Sequence, residues 1–126
     1  MIRLATTLRA AVIITASLFS LPALAQSFGP FSGENGHVTA GTASIVQEGG
    51  KYFVQLNADF TFDGAPDPKL ALGNGTVDTA TTMANLVSNT GGQRYALPAG
   101  IDPAGYTTLH VWCEQFTVSL GIAPLN

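Results

Sequence analysis

The sequence predicts an all-β protein, an antiparallel β-sandwich or barrel-like fold in one small domain behind an N-terminal signal peptide. Three observations carry that prediction. Turn-forming pairs recur along the chain at Asn35-Gly36, Gly49-Gly50, Asn74-Gly75 and Gly91-Gly92, each flanking a run of strand composition. Within the longest early run, apolar and polar residues alternate with period two. Beyond the leader, no stretch has the length and periodicity of an amphipathic helix, and no repeat of solenoid length appears. Short strands punctuated by regular turns pack as antiparallel sheets.

The leader comes first. Arg3 and Arg9 supply a positive start, Ala10 to Leu21 a mostly apolar run, and Pro22 a break. Ala23-Leu24-Ala25 then gives the small-x-small pattern that a signal peptidase reads. The apolar run is shorter than the roughly 20 residues a bilayer-spanning helix needs. Residues 1–25 are therefore expected to be a cleaved signal peptide and residues 26–126 the mature domain. That domain would be periplasmic or secreted, with no stable membrane anchor after cleavage.

The mature part carries three basic residues, Lys51, Lys69 and Arg94, against eight acidic ones, a net charge of −5. With no basic stripe to neutralise phosphates, nucleic acid is not an expected partner. Few charges with many Gly, Thr and aromatic residues fit a globular β domain and not disorder.

Residues 37–62, "HVTAGTASIVQEGGKYFVQLNADFTF", read as two strands around Gly49-Gly50. In the second, Tyr52, Val54, Leu56, Ala58, Phe60 and Phe62 share a parity that places them on a core face. Asp63-Gly64 and two prolines then force a loop, and "KLALG" follows as a short strand. Residues 78–89, "DTATTMANLVSN", permit either a short helix or a strand. "QRYALP" is a strand stopped by Pro98, and "AGIDPAGY" a loop. The final run, "TTLHVWCEQFTVSLGIAPL", is the longest strand signal and changes parity midway. Leu109, Val111 and Cys113 share one parity, and Phe116, Val118 and Leu120 the other. A strand keeping one buried face through that change needs an extra residue, so a β-bulge is expected near Glu114-Gln115. It would set Cys113 on one face with Leu109 and Phe116, and His110 and Trp112 on the opposite face.

Cys113 is the chain's single cysteine, so no intramolecular disulfide can form. Three readings of it remain open: a small hydrophobe packed in the core, a redox thiol, or a thiolate ligand to haem or another metal. There is no Cys-x-x-Cys-His, so covalent c-type attachment of haem is excluded, and no metal-site motif is present. Asp59, Asp63 and Asp67 do not have the spacing of a calcium loop. Of the two imidazoles, His37, just after a turn, is the candidate ligand ahead of His110. Trp112, Tyr95 and Asp67 are a candidate binding surface, since aromatic side chains can form a stacking platform.

The last segment, "NTGGQRYALPAGIDPAGYTTLHVWCEQFTVSLGIAPL", resembles the C-terminal half of the DM13 domain family. The matching residues are Asn89, Gly91, Gln93, Tyr95 and Pro98, then Trp112, Cys113 and Phe116, then Ala123, Pro124 and Leu125. In the first half, Phe31, His37 and Gly41 and the Pro66, Asp67 and Leu72 segment are also similar. The resemblance implies a β-rich extracytoplasmic domain acting in electron transfer, often beside haem- or sugar-binding DOMON modules. A redox partner protein or such a module would be its partner, and haem a candidate cofactor. The family's proposed redox centre falls on Cys113, as a free thiol or a ligand to a prosthetic group. The chain departs from the pattern at Glu114 and Gln115, where basic residues are common. Alongside this stands a second expectation, a non-catalytic envelope binding module that recognises a polysaccharide or protein with Cys113 as inert core.

Overall fold

The structure is a computed structural model that describes residues 10–14 and 26–126. Apart from residues 10–14, which carry no regular structure, the expected signal peptide and its cleavage site lie outside the described residues.

Among the described residues the protein is all-β and antiparallel. One four-stranded sheet has the order β1 (Ser27–Phe28), β4 (Ala43–Glu48), β5 (Lys51–Leu56), β8 (Gln93–Ala96). The other runs β2 (Ser32–Gly33), β10 (Val118–Pro124), β9 (Thr108–Cys113), β7 (Pro68–Gly73). A two-stranded ladder joins β3 (Thr39–Ala40) to β6 (Thr61–Phe62). The sheets face each other across one apolar core. The first contributes Ala43, Ile45, Val54, Leu56, Tyr95 and Leu97, and the second Leu70, Leu72, Leu109, Val111, Cys113 and Leu120. Phe28 bridges to Leu125, tying β1 of the first sheet to the chain just after β10 of the second. The sandwich is thus closed along that side.

Local chemistry explains the elements. Gly49 and Gly50, at φ 56° and 75°, make the two-residue turn between β4 and β5, which only residues tolerant of positive φ form cheaply. Period-two alternation then holds through the hairpin, with Val54 and Leu56 buried on the core face. The alternating run does not continue as one strand to Phe62. The chain turns at Asn57–Asp59, where the Asp59 carboxylate accepts from the Thr42 N–H and hydroxyl at 2.9 and 3.0 Å. Ala58 is consequently exposed, while Phe60 and Phe62 re-enter the core beyond the turn. The segment compatible with helix or strand resolves into a 3-10 turn at Thr79–Thr81, capped by Asp78, whose side chain accepts from the Ala80 N–H. Thr81 is fully buried there, and its hydroxyl is fixed to the Leu72 backbone N–H and C=O.

The bulge expected near Glu114-Gln115 is corrected. Residues 114–117 are a hairpin turn between β9 and β10, closed by the Thr117 N–H donating to the Glu114 carbonyl at 3.2 Å. The parity change is real but marks chain reversal and not a register slip. Thr117 takes the positive φ, 53°, that a glycine usually supplies, so the turn carries no glycine signal. Phe116 sits at its tip, 63% exposed, and is not on the face of Cys113. A bulge does occur in β10: the pairing with β9 shifts between Ser119 and Gly121, leaving Leu120 as the extra residue. The Leu120 side chain enters the core, while its carbonyl accepts from Glu34 N–H at 3.1 Å and Thr39 Oγ1 at 2.9 Å.

Candidate functional site

Strand β9 is buried from Leu109 to Cys113, and its alternating side chains enter two different environments. Leu109, Val111 and Cys113 point into the sandwich. His110 and Trp112 point away from it, as the alternation requires. The cross-strand neighbours repeat the division. Leu70 and Leu72 of β7 lie opposite Val111 and Leu109 on the core side, and Lys69 and Ala71 lie opposite Trp112 and His110 on the outer side.

Cys113 is 1% exposed and sits among apolar residues of the core. It is also the last residue of β9, paired with Pro68 on one side and Val118 on the other. The ladder runs one step past it, where the Glu114 N–H donates to the Asp67 carbonyl at 3.4 Å, while the Pro68 carbonyl turns away from β9 to accept from the Leu86 N–H. The charged fringe of this end is Lys69, whose ammonium contacts Glu114 at 3.0 Å and Asp67 at 3.4 Å. The Glu114 hydrogen bond, then the charge of Asp67, hold the lysine above its ordinary pKa. A second oxygen of Asp67 accepts from the Gln115 N–H at 3.1 Å and pins the turn.

On the outer face, His110 is 1% exposed and wedged between two hydroxyls, with Nε2 2.9 Å from Thr108 Oγ1 and Nδ1 3.3 Å from Ser119 Oγ. Burial pushes its pKa below the usual imidazole value, with the charge of Glu34 pulling the other way. Gly73 of β7 makes room for this arrangement. A Cβ there would collide with the Thr76 carbonyl and stand 3.0 Å from His110 Nε2. Beside His110, Trp112 is 4% exposed, and its Nε1–H is buried with no hydrogen-bond partner among the described residues. The two side chains form part of the wall of an open cleft of about 300 Å³, together with Glu34, Thr76, Val77 and Ser119. Nothing in the sequence pattern marks this cleft, because Glu34 and residues 76–77 come from loops far from β9 in the chain.

The other expected residues lie elsewhere. His37, in the loop between β2 and β3, stacks on Phe62 with ring centroids 5.9 Å apart. Its Nδ1 meets Asp63 Oδ1 at 2.9 Å, and the other Asp63 oxygen accepts from the Val38 N–H at 3.0 Å. The Val38 bond first, then the imidazole, hold the Asp63 carboxyl below the usual range. Tyr95 is buried on the core side of the first sheet, where its hydroxyl accepts from the Val87 N–H at 2.9 Å and donates to Gln93 Oε1. Trp112 and Tyr95 therefore belong to different sheets and present no shared stacking platform with Asp67. Asp59, Asp63 and Asp67 each serve a separate loop, and no group of three or more metal-ligating side chains gathers among the described residues.

A haem ligated by Cys113 does not fit this core. The thiol is 1% exposed and enclosed by packed apolar side chains, and the cleft on the outer face of β9 does not include Cys113 in its wall.

No curated protein and no solved structure is significantly similar to the chain. A family profile described as "Electron transfer DM13" matches residues 30–125, from just before β2 to the residue after β10. The two-sheet domain with Trp112 and Cys113 on opposite faces of β9 spans that match, and the chain belongs to the DM13 electron-transfer family.

Proposed function

We propose that this domain is an exported electron-transfer module in which Cys113 is the redox-active group, reached by local opening of the β9–β10 turn. The observation that carries the reading is the position of Cys113 as the final residue of β9. It lies next to an exposed four-residue turn, where the β7–β9 ladder ends on a long hydrogen bond from the Glu114 N–H to the Asp67 carbonyl, 3.4 Å. A thiol in an apolar setting is unreactive while enclosed, because the thiolate is the reacting form. Local openings at a strand end require less free energy than global unfolding. They would bring Cys113 to the side of the molecule that carries Lys69, the cation nearest the turn. Two-electron oxidation of the exposed thiol, by the disulfide of a partner protein, would give a mixed disulfide and release one partner thiol.

A second reading is favoured by the burial of Cys113 and the unpartnered Trp112 N–H: a binding module in which the cysteine is inert core. One experiment separates the two. The protein is expressed with its leader and purified from the periplasm. Its visible spectrum is recorded, and thiol modification is followed against pH beside Cys113→Ser. A thiol that reacts in the folded protein supports the redox reading, whereas a chromophore absent from the serine variant would contradict the closed packing around Cys113. A colourless protein whose thiol reacts only with global unfolding leaves the binding reading.

A further inference from the structure

We propose that the cleft on the outer face of the second sheet binds a small neutral ring bearing hydroxyl groups, held by the Trp112 indole N–H and the Glu34 carboxylate. The inference concerns the face of β9 opposite Cys113 and is independent of any redox role for the thiol.

The starting observation is Trp112. A buried N–H without an acceptor is costly, and folded proteins rarely tolerate one. Here it belongs to a side chain in the wall of an open cleft; the nitrogen itself is covered, so an acceptor in the cleft reaches it once the indole turns outward. The indole N–H is donor only, so whatever satisfies it must offer an acceptor, which excludes simple cations. The remaining polar lining is specific in sign. Glu34 is the one ionised side chain in the wall; Thr76, Thr79, Thr117 and Ser119 add hydroxyls. His110 is held neutral by burial and has both ring nitrogens against hydroxyls. No cation lines the cleft, so a phosphate or carboxylate ligand would meet Glu34 unopposed.

What remains is a neutral oxygen ligand. A carboxylate only accepts and an indole N–H only donates, and a ring hydroxyl does both. Val77 and the indole supply the apolar part of the wall. At about 300 Å³ the cleft lies at the small end of ligand pockets, a size for one ring. Glu34 is fixed in place from behind, since its backbone N–H donates to the Leu120 carbonyl exposed by the bulge. The bulge thus positions the carboxylate-bearing loop over β9.

The chain has a single tryptophan, so its ¹H–¹⁵N spectrum has one indole resonance, that of Trp112. The test is to titrate the folded protein separately with glucose, with hydroquinone and with inorganic phosphate while following that resonance. The expected result is a saturable downfield shift with glucose or with hydroquinone and none with phosphate. Saturation by glucose identifies a carbohydrate ligand, and saturation by hydroquinone a phenolic one. Glu34→Gln should weaken the binding about tenfold by removing the charge from the acceptor, as should Trp112→Phe, followed by calorimetry, by removing the donor. Cys113→Ser should titrate like the parent, which separates this site from the thiol. Absence of a saturable shift with both rings overturns the proposal. So does a phosphate response, or binding undiminished in Glu34→Gln.

Discussion

The two faces of β9 are built from adjacent residues and obey different rules. The inner face, Leu109, Val111 and Cys113, closes against the opposing sheet with no polar side chain among the three. The outer face places a histidine and a tryptophan under loops, with hydrogen bonds complete for His110 and incomplete for Trp112. An apolar face is satisfied by contact alone, whereas a buried polar face has to satisfy each donor and acceptor. The inner face therefore reads as stability, and the outer face as the place where something remains to be bound. Cys113 belongs to the first by packing and to a redox role only through its position at the strand end.

The largest effect should come from the inner face. Leu109→Ala removes a fully buried side chain and should lower the unfolding free energy by about 2–5 kcal/mol. A denaturant midpoint unchanged by that substitution would mean that β9 does not pack as described. Cys113→Ser puts a hydroxyl into the same apolar surroundings and should cost about 1–3 kcal/mol, read in the same way.

The outer face should show itself in pH dependence. Burial lowers the folded-state pKa of His110 below its unfolded value, so between the two the unfolded chain binds more protons. Stability from keeping this imidazole neutral is complete above about pH 6.5 and declines as pH falls through that window. Unfolding curves from pH 7.5 downward should show the decline, and His110→Gln should remove it. A variant with the parent's slope would assign the dependence to another group.

The smallest effect should be Trp112→Phe. It keeps most of the ring packing and deletes a donor that makes no hydrogen bond within the protein, so stability should stay within about 1 kcal/mol of the parent. A loss comparable to that of Leu109→Ala would make Trp112 a core residue in function and erase the contrast between the faces.

How much of this the sequence disclosed depends on the range of the interactions. The β4–β5 hairpin is legible because Gly49-Gly50 and the alternation through Val54 and Leu56 are local signals. The separation of Cys113 from His110 and Trp112 is legible for the same reason. The turn at 114–117 is hidden because Thr117 occupies the left-handed region that glycine normally advertises, so the reversal looks like a slip in one strand. The bulge at Leu120 depends on Thr39 and Glu34 gripping its carbonyl, contacts about 80 residues away in sequence. Tyr95 looked available as an aromatic platform, but its parity matches Leu97 and takes it into the core. The cleft is the least legible feature of all, since its wall is assembled from loops that only the completed sandwich brings together.

The most direct test of the central claim, that Cys113 is enclosed in the native state yet reachable by opening one strand end, is its modification rate against denaturant. Folded protein is mixed with a thiol reagent at increasing urea below the unfolding transition. The account predicts slow labelling in water, far below that of an unfolded control, with a urea dependence much shallower than that of global unfolding. Labelling as fast as the unfolded control would contradict the burial of Cys113, and labelling with the full slope of global unfolding would contradict the opening.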